Sequence, residues 1–113
     1  MSKTSLIHLR IHDEHMASCL SPWLRRLRLV SEEHFRRHGG KWSTGEQIAH
    51  THSEVSELYD AIKKKGPDDI AGECWDVFFS AVTNLHIIGM NDVDIAAAGV
   101  KTLRKIEERM GIE

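Results

Sequence analysis

The sequence predicts a single all-α domain, a helical bundle of about four to five helices, on three observations. Apolar residues recur at three- and four-residue spacing along most of the chain. Prolines and glycines fall where helices start or stop, and no stretch alternates apolar and polar residues between hairpin turns. At 113 residues and 41% hydrophobic content, the chain can build one core but not two. One domain is therefore expected over 1–113, with 1–20 an arm or extra helix and 41–109 carrying the candidate site.

The elements follow in order. Ser21-Pro22 offers an N-cap with proline at the first helical position, and Trp23, Leu27, Val30 and His34 then share a helical stripe as far as Gly39-Gly40. Residues before Ser21 fit a short helix, an arm or a dimer contact. Thr44 with Gln47 has capping-box spacing and opens a second helix, whose stripe of Ile48, Val55, Leu58 and Ile62 runs to Gly66-Pro67. Asp68 or Asp69 is the expected cap of a third helix. Its apolar arc takes in Ile70, Cys74, Trp75, Val77, Phe78, Phe79, Ala81, Val82, Leu85 and Ile88. So wide an arc needs more than one partner to cover it, and a second copy of the chain would serve. Asn91 or Asp92 caps the last helix, with Ala96, Val100, Leu103, Ile106 and Met110 as its stripe.

Composition narrows the function. A formal charge of -2 and a pI near 6.4 draw the chain neither to a nucleic acid polymer nor to an anionic membrane, which favours a small diffusible substrate. Cys19 and Cys74 have no metal or redox spacing, and charged and histidine residues interrupt the N-terminal apolar positions. No apolar run approaches the ~20 residues of a membrane span. A reducing, cytoplasmic location is expected.

The chemistry lies in carboxylates. Glu54 and Glu57 stand three apart on the second helix, Glu73 and Asp76 three apart on the third, so each pair projects from one side of its helix. The short Gly-Pro turn between the helices favours antiparallel packing, which can bring the pairs together. Acidic pairs usually mark a solvated face. Glu73 and Asp76, however, abut Val77 and Phe78 in a helix with little polar surface, and charge beside a core is costly unless paired or metal-bound. Four carboxylates suit Mg²⁺, with Mn²⁺ as a substitute, and such an ion can also grip substrate phosphates.

Other residues carry two readings. Lys101, Lys105 and Arg109 lie on one line of the last helix, either as a strip facing a polyphosphate or as solvated cations near a helix C-terminus. Trp42 and Trp75 can stack on a base, and Asn84 can read one through its amide. Core packing is the expected role of Trp75. His50, one turn before Glu54, can orient that glutamate, touch substrate or simply lie at the surface. Eight histidines are many for this length, and His8, His12 and His15 would share a helical face that can hold zinc, though no fourth ligand is evident.

The segments EVSELYDAI (Glu54 to Ile62) and ECWDVFF (Glu73 to Phe79) resemble the ExxE and ExxD motifs of MazG-like, all-α nucleoside triphosphate pyrophosphohydrolases. Lys41-Trp42, Gly89, Lys105 and Arg109 also stand where the family tends to have similar residues. Trp75 replaces a common glycine, and Leu103 a common asparagine. The resemblance implies hydrolysis of a nucleoside triphosphate to monophosphate and pyrophosphate, in a homodimer or homotetramer. It places Mg²⁺ on Glu54, Glu57, Glu73 and Asp76, phosphate on Lys105 and Arg109, and Lys41 and Trp42 near substrate. Glu54 or Glu57 would take a proton from the attacking water. Competing expectations are a phosphoribosyl-ATP pyrophosphohydrolase, a non-catalytic helical oligomer acting as a regulator or scaffold, and a histidine-rich metal binder.

Overall fold

The computed structural model describes residues 13–111. Four helices account for most of them: α1 (Asp13–Arg37), α2 (Thr44–Lys64), α3 (Pro67–Ile87) and α4 (Asp92–Arg109), with no strand among the described residues. The protein is all-α, as its periodicity predicts. The chain gathers into two compact units. One is Leu27–Met90, and the other draws on the chain up to Arg26 and from Asn91 onward.

In the Leu27–Met90 unit, α2 and α3 form the principal helix pair. α1 leaves its last turn through Gly39 and Gly40, both at positive φ (95° and 115°), where a Cβ would be strained. α2 then starts on a capping box one residue earlier than the sequence predicts. Ser43 Oγ accepts from the Glu46 amide at 3.1 Å, and Glu46 Oε1 accepts from the Ser43 amide at 3.1 Å. Gln47, expected as a capping residue, is instead released to point into the seam with α3. The next boundary also differs from expectation. Gly66 is the N-cap of α3 and Pro67 its first residue, which leaves Asp68 and Asp69 in the first turn, where their charge favours the helix dipole.

The antiparallel register follows from paired residues: Gln47 and Thr51 meet Ser80 at one end of the seam, and Lys65 reaches Glu73 at the other. The face of α2 turned inward is Gln47, Thr51, Glu54, Leu58 and Ala61, of which only Leu58 belongs to the predicted aliphatic stripe. Ile48, Val55 and Ile62 are exposed. On α1 the buried line likewise runs through Phe35 and leaves Val30 outside. Phe35, Ala61, Val82 and Ile87 are the buried apolar residues of this unit.

The other unit contains α4 and the first half of α1. Pro22 lies inside α1, so the predicted start at Ser21 is overturned. The helix is described from Asp13. Ser21 Oγ donates back to the Ala17 carbonyl at 3.0 Å rather than capping an N-terminus. Of the two expected caps of α4, Asn91 is the one used, its side chain accepting from the Asp94 amide at 2.8 Å. Arg104 Nε donates to Asp13 Oδ2 at 2.6 Å, tying the two helices together. Ala96 is buried on α4, whereas the predicted stripe residues Leu103, Ile106 and Met110 are exposed. No helix among the described residues is long and apolar enough to cross a membrane.

Candidate functional site

The α2–α3 seam divides into a neutral polar end and an acidic end. At the acidic end, Glu54, Glu57 and Glu73 each bring one carboxylate oxygen to within 4.8 Å of the others. The three-residue spacing on α2 puts Glu54 and Glu57 on one side, and antiparallel packing sets Glu73 across from them. Asp76 is exposed and stands outside this triplet, yet its charge is still felt at Glu54.

Two features make the triplet more than a solvated acidic face. Glu54 Oε2 and Glu73 Oε2 are both buried without a hydrogen-bond partner. Such atoms are costly to leave unpaired. Glu54 Oε1 contacts His50 Nε2 at 3.2 Å, and Glu73 Oε1 has Lys65 Nζ at 3.9 Å. Burial is the main cause that raises the Glu54 carboxyl above its ordinary pKa. The charge and contact of Glu57, and the charge of Asp76, push the same way, and His50 pulls against them. Three clustered carboxylates, two of which carry a buried unpaired oxygen, fit a divalent cation with hard oxygen ligands.

A cavity of about 300 Å³ adjoins Glu54 and Asp76, between α2, α3 and the second half of α1. Its walls include His34, Phe35, Trp42 and Phe79, with Gln47 and Thr83 among them as polar residues. Trp42 is the hub of this wall. Its ring centroid lies 5.7 Å from Phe35, 6.0 Å from His34 and 5.3 Å from His50. His50 therefore touches both the acidic cluster and the aromatic wall. Such an arrangement can hold a flat ring beside a polyanion that needs a cation.

The sequence model of the MazG nucleotide pyrophosphohydrolase domain matches residues 43–111, more than half of the chain. The chain belongs to the MazG family. No curated protein and no solved structure matches it. The MazG match begins at Ser43, the N-cap of α2, and includes all four motif carboxylates. MazG proteins hydrolyse nucleotide pyrophosphate bonds and typically depend on a divalent metal. The acidic cluster is a group that can hold one.

The remaining candidates lie in different places. Lys41 Nζ donates to the Ile87 carbonyl at 2.6 Å, helping to cap α3, and lines a separate cavity of about 280 Å³. Asn84 commits its amide nitrogen to Thr51 Oγ1 and to the Ser80 and Ala81 carbonyls, and is not part of the lining beside Glu54. Lys105 and Arg109 are exposed on α4, in the other compact unit. Trp75, expected in the core, is 48% exposed and packs on Phe78 and Phe79 of its own helix. His15 lies on α1 with Nε2 3.6 Å from Cys19 Sγ, whereas His8 and His12 fall outside the described residues. The lining residues Gln47, Ser80 and His34 were not predicted as site residues. Their only signal is a polar residue at a seam position of an otherwise apolar helix pattern.

Proposed function

We propose that this MazG protein hydrolyses a (deoxy)nucleoside triphosphate to the monophosphate and pyrophosphate, clearing surplus or non-standard nucleotides from the pool. The observation that carries the reading is the pair of buried, unpartnered oxygens on Glu54 and Glu73, set beside a cavity with an aromatic wall. Glu54, Glu57 and Glu73 would hold Mg²⁺, with Mn²⁺ as a substitute, and Asp76 at the cavity edge would complete the acidic set. The ion supplies charge neutralisation for the triphosphate and lowers the pKa of a bound water.

The chain's own residues supply the rest. Trp42 and its aromatic neighbours offer a stacking wall for the base. His50 holds Glu54 through Oε1, so of the two glutamates suited to proton transfer Glu54 is the one oriented for it. Lys105 and Arg109 serve as phosphate-binding cations in this reading. The exposed apolar residues Ile48, Val55, Tyr59 and Ile62 of α2, with Trp75 and Phe78 of α3, support a homodimer or homotetramer, since single chains rarely leave so many large side chains in water.

The test is pyrophosphate release from a panel of ribo- and deoxynucleoside triphosphates with Mg²⁺, run on the wild type beside Glu73→Gln. Release that needs Mg²⁺ and disappears in a folded Glu73→Gln protein is expected. A well-folded wild type that releases no pyrophosphate from any triphosphate would overturn the reading. Hydrolysis of phosphoribosyl-ATP would then be assayed next.

A further inference from the structure

We propose that Gln47 reads the base of the substrate as a hydrogen-bond acceptor, and that Ser80 and Thr51 lock its amide in the one orientation that allows it. The inference rests on the nucleotide reading above and adds which chemical feature of the base is recognised.

Gln47 is 3% exposed, yet it lines the cavity that reaches Glu54. Its Nε2 donates to the Ser80 carbonyl at 3.0 Å and to Ser80 Oγ at 3.1 Å, which uses both amide hydrogens. The flipped amide is excluded on chemical grounds. A backbone carbonyl only accepts, so an oxygen facing it at 3.0 Å would set two acceptors against each other. The hydroxyl protons close the circuit. Thr51 Oγ1 donates to the Gln47 carbonyl of the main chain at 3.0 Å, so Ser80 Oγ is the donor in its 2.9 Å contact with Thr51 Oγ1. Asn84 Nδ2 adds a second donor to Thr51 Oγ1 at 3.3 Å.

Every donor in this circuit is committed, and none of them reaches the side-chain oxygen of Gln47. That oxygen is the group Gln47 has left for the cavity. A held acceptor of this kind rewards a ligand N–H and penalises a ligand that lacks one, since an acceptor desolvated by a ligand and left unpaired weakens binding about tenfold or more. The surrounding rings of His34, Phe35, Trp42 and Phe79 suit a flat heterocycle. The ligand class is thus a nucleotide whose base offers an N–H, either an exocyclic amine or a ring imino group.

Binding of nucleoside monophosphates by calorimetry tests this without relying on catalysis. Each common monophosphate is compared with a partner whose base N–H is removed or methylated. The pairs are cytidine and 2-pyrimidinone ribosides, adenosine and purine ribosides, uridine and 3-methyluridine, and guanosine and a 1-methyl, 2-deamino analogue. At least one pair should differ about tenfold or more in Kd for the wild type. The difference should fall below about twofold in Gln47→Met, or in Gln47→Leu where the methionine variant does not fold. Equal affinity within every pair, a difference that persists in the variants, or no binding at all would overturn the proposal. The wild-type comparison alone can do so. Pyrophosphate release judges the catalytic reading separately: release without base discrimination sinks the role of Gln47 and leaves the hydrolase, and discrimination without release does the reverse.

Discussion

His50 Nε2 lies 3.2 Å from Oε1 of Glu54, while the other oxygen of that carboxylate is buried with no partner. The contact holds one oxygen and leaves the second available, as expected of a cation ligand positioned before the cation arrives. The same imidazole packs against Trp42, so the acidic cluster and the aromatic wall share a residue.

Replacing His50 by Asn should therefore disturb both. Outer partners of metal ligands are typically worth 10- to 100-fold in metal affinity or activity. The expected outcome is a fall of about tenfold in kcat/KM, with a higher Mg²⁺ concentration needed for half-maximal rate. Unchanged metal dependence would show that the contact does not position Glu54.

Metal binding should stabilise the fold. Closing three carboxylates around a cation relieves their repulsion, and a ligand at 100 times its Kd adds about 2.7 kcal/mol. Thermal unfolding monitored by circular dichroism should give a higher Tm with Mg²⁺ or Mn²⁺ than with EDTA. Glu73→Gln should lose most of that difference.

The metal-free protein should show the opposite dependence on Glu54 charge. Its carboxyl has a raised pKa in the folded state, so the folded chain binds this proton more tightly than the unfolded chain does. The resulting stability is fully present below the unfolded pKa and is lost as pH rises through the folded one. Glu54→Gln removes the charged form, so in EDTA at neutral pH it should raise stability by roughly 1 kcal/mol. Chemical denaturation at two pH values measures this, and a destabilised variant at neutral pH would contradict it.

Gly89 stands at φ 89° just beyond α3, a conformation that L side chains rarely adopt. No atom crowds its Cβ position, so the cost of Gly89→Ala is backbone strain alone, about 1 kcal/mol. The variant should unfold at a lower denaturant midpoint with an unchanged slope.

Lys105→Ala and Arg109→Ala should raise KM for triphosphates about tenfold if these side chains contact phosphate, with thermal stability unaltered because both are exposed. Size-exclusion with light scattering should give at least twice the 12.9 kDa chain mass, and Ile62→Asp should reduce it. A monomer by that measurement would remove the oligomer from the proposal.

The sequence by itself determined the helical class, the start of α4 at Asn91 or Asp92 and the acidic pairs on two helices, because these depend on spacing of three or four residues along one chain segment. It also carried the family resemblance that the MazG match bears out. Only the tertiary structure decided which face of each helix turns inward. On α2, periodicity favoured Ile48, Val55, Leu58 and Ile62, yet of these only Leu58 joins the seam, which is otherwise built from Gln47, Thr51, Glu54 and Ala61, with Gln47 and Thr51 finding polar partners on Ser80 of α3. A helical repeat cannot reveal this, since both stripes have the same period and their burial depends on what the facing helix offers. The role of Gln47 was hidden for the same reason. One residue's shift in the capping box, from Thr44 to Ser43, frees its side chain, and only the distant Ser80 gives that amide a fixed direction.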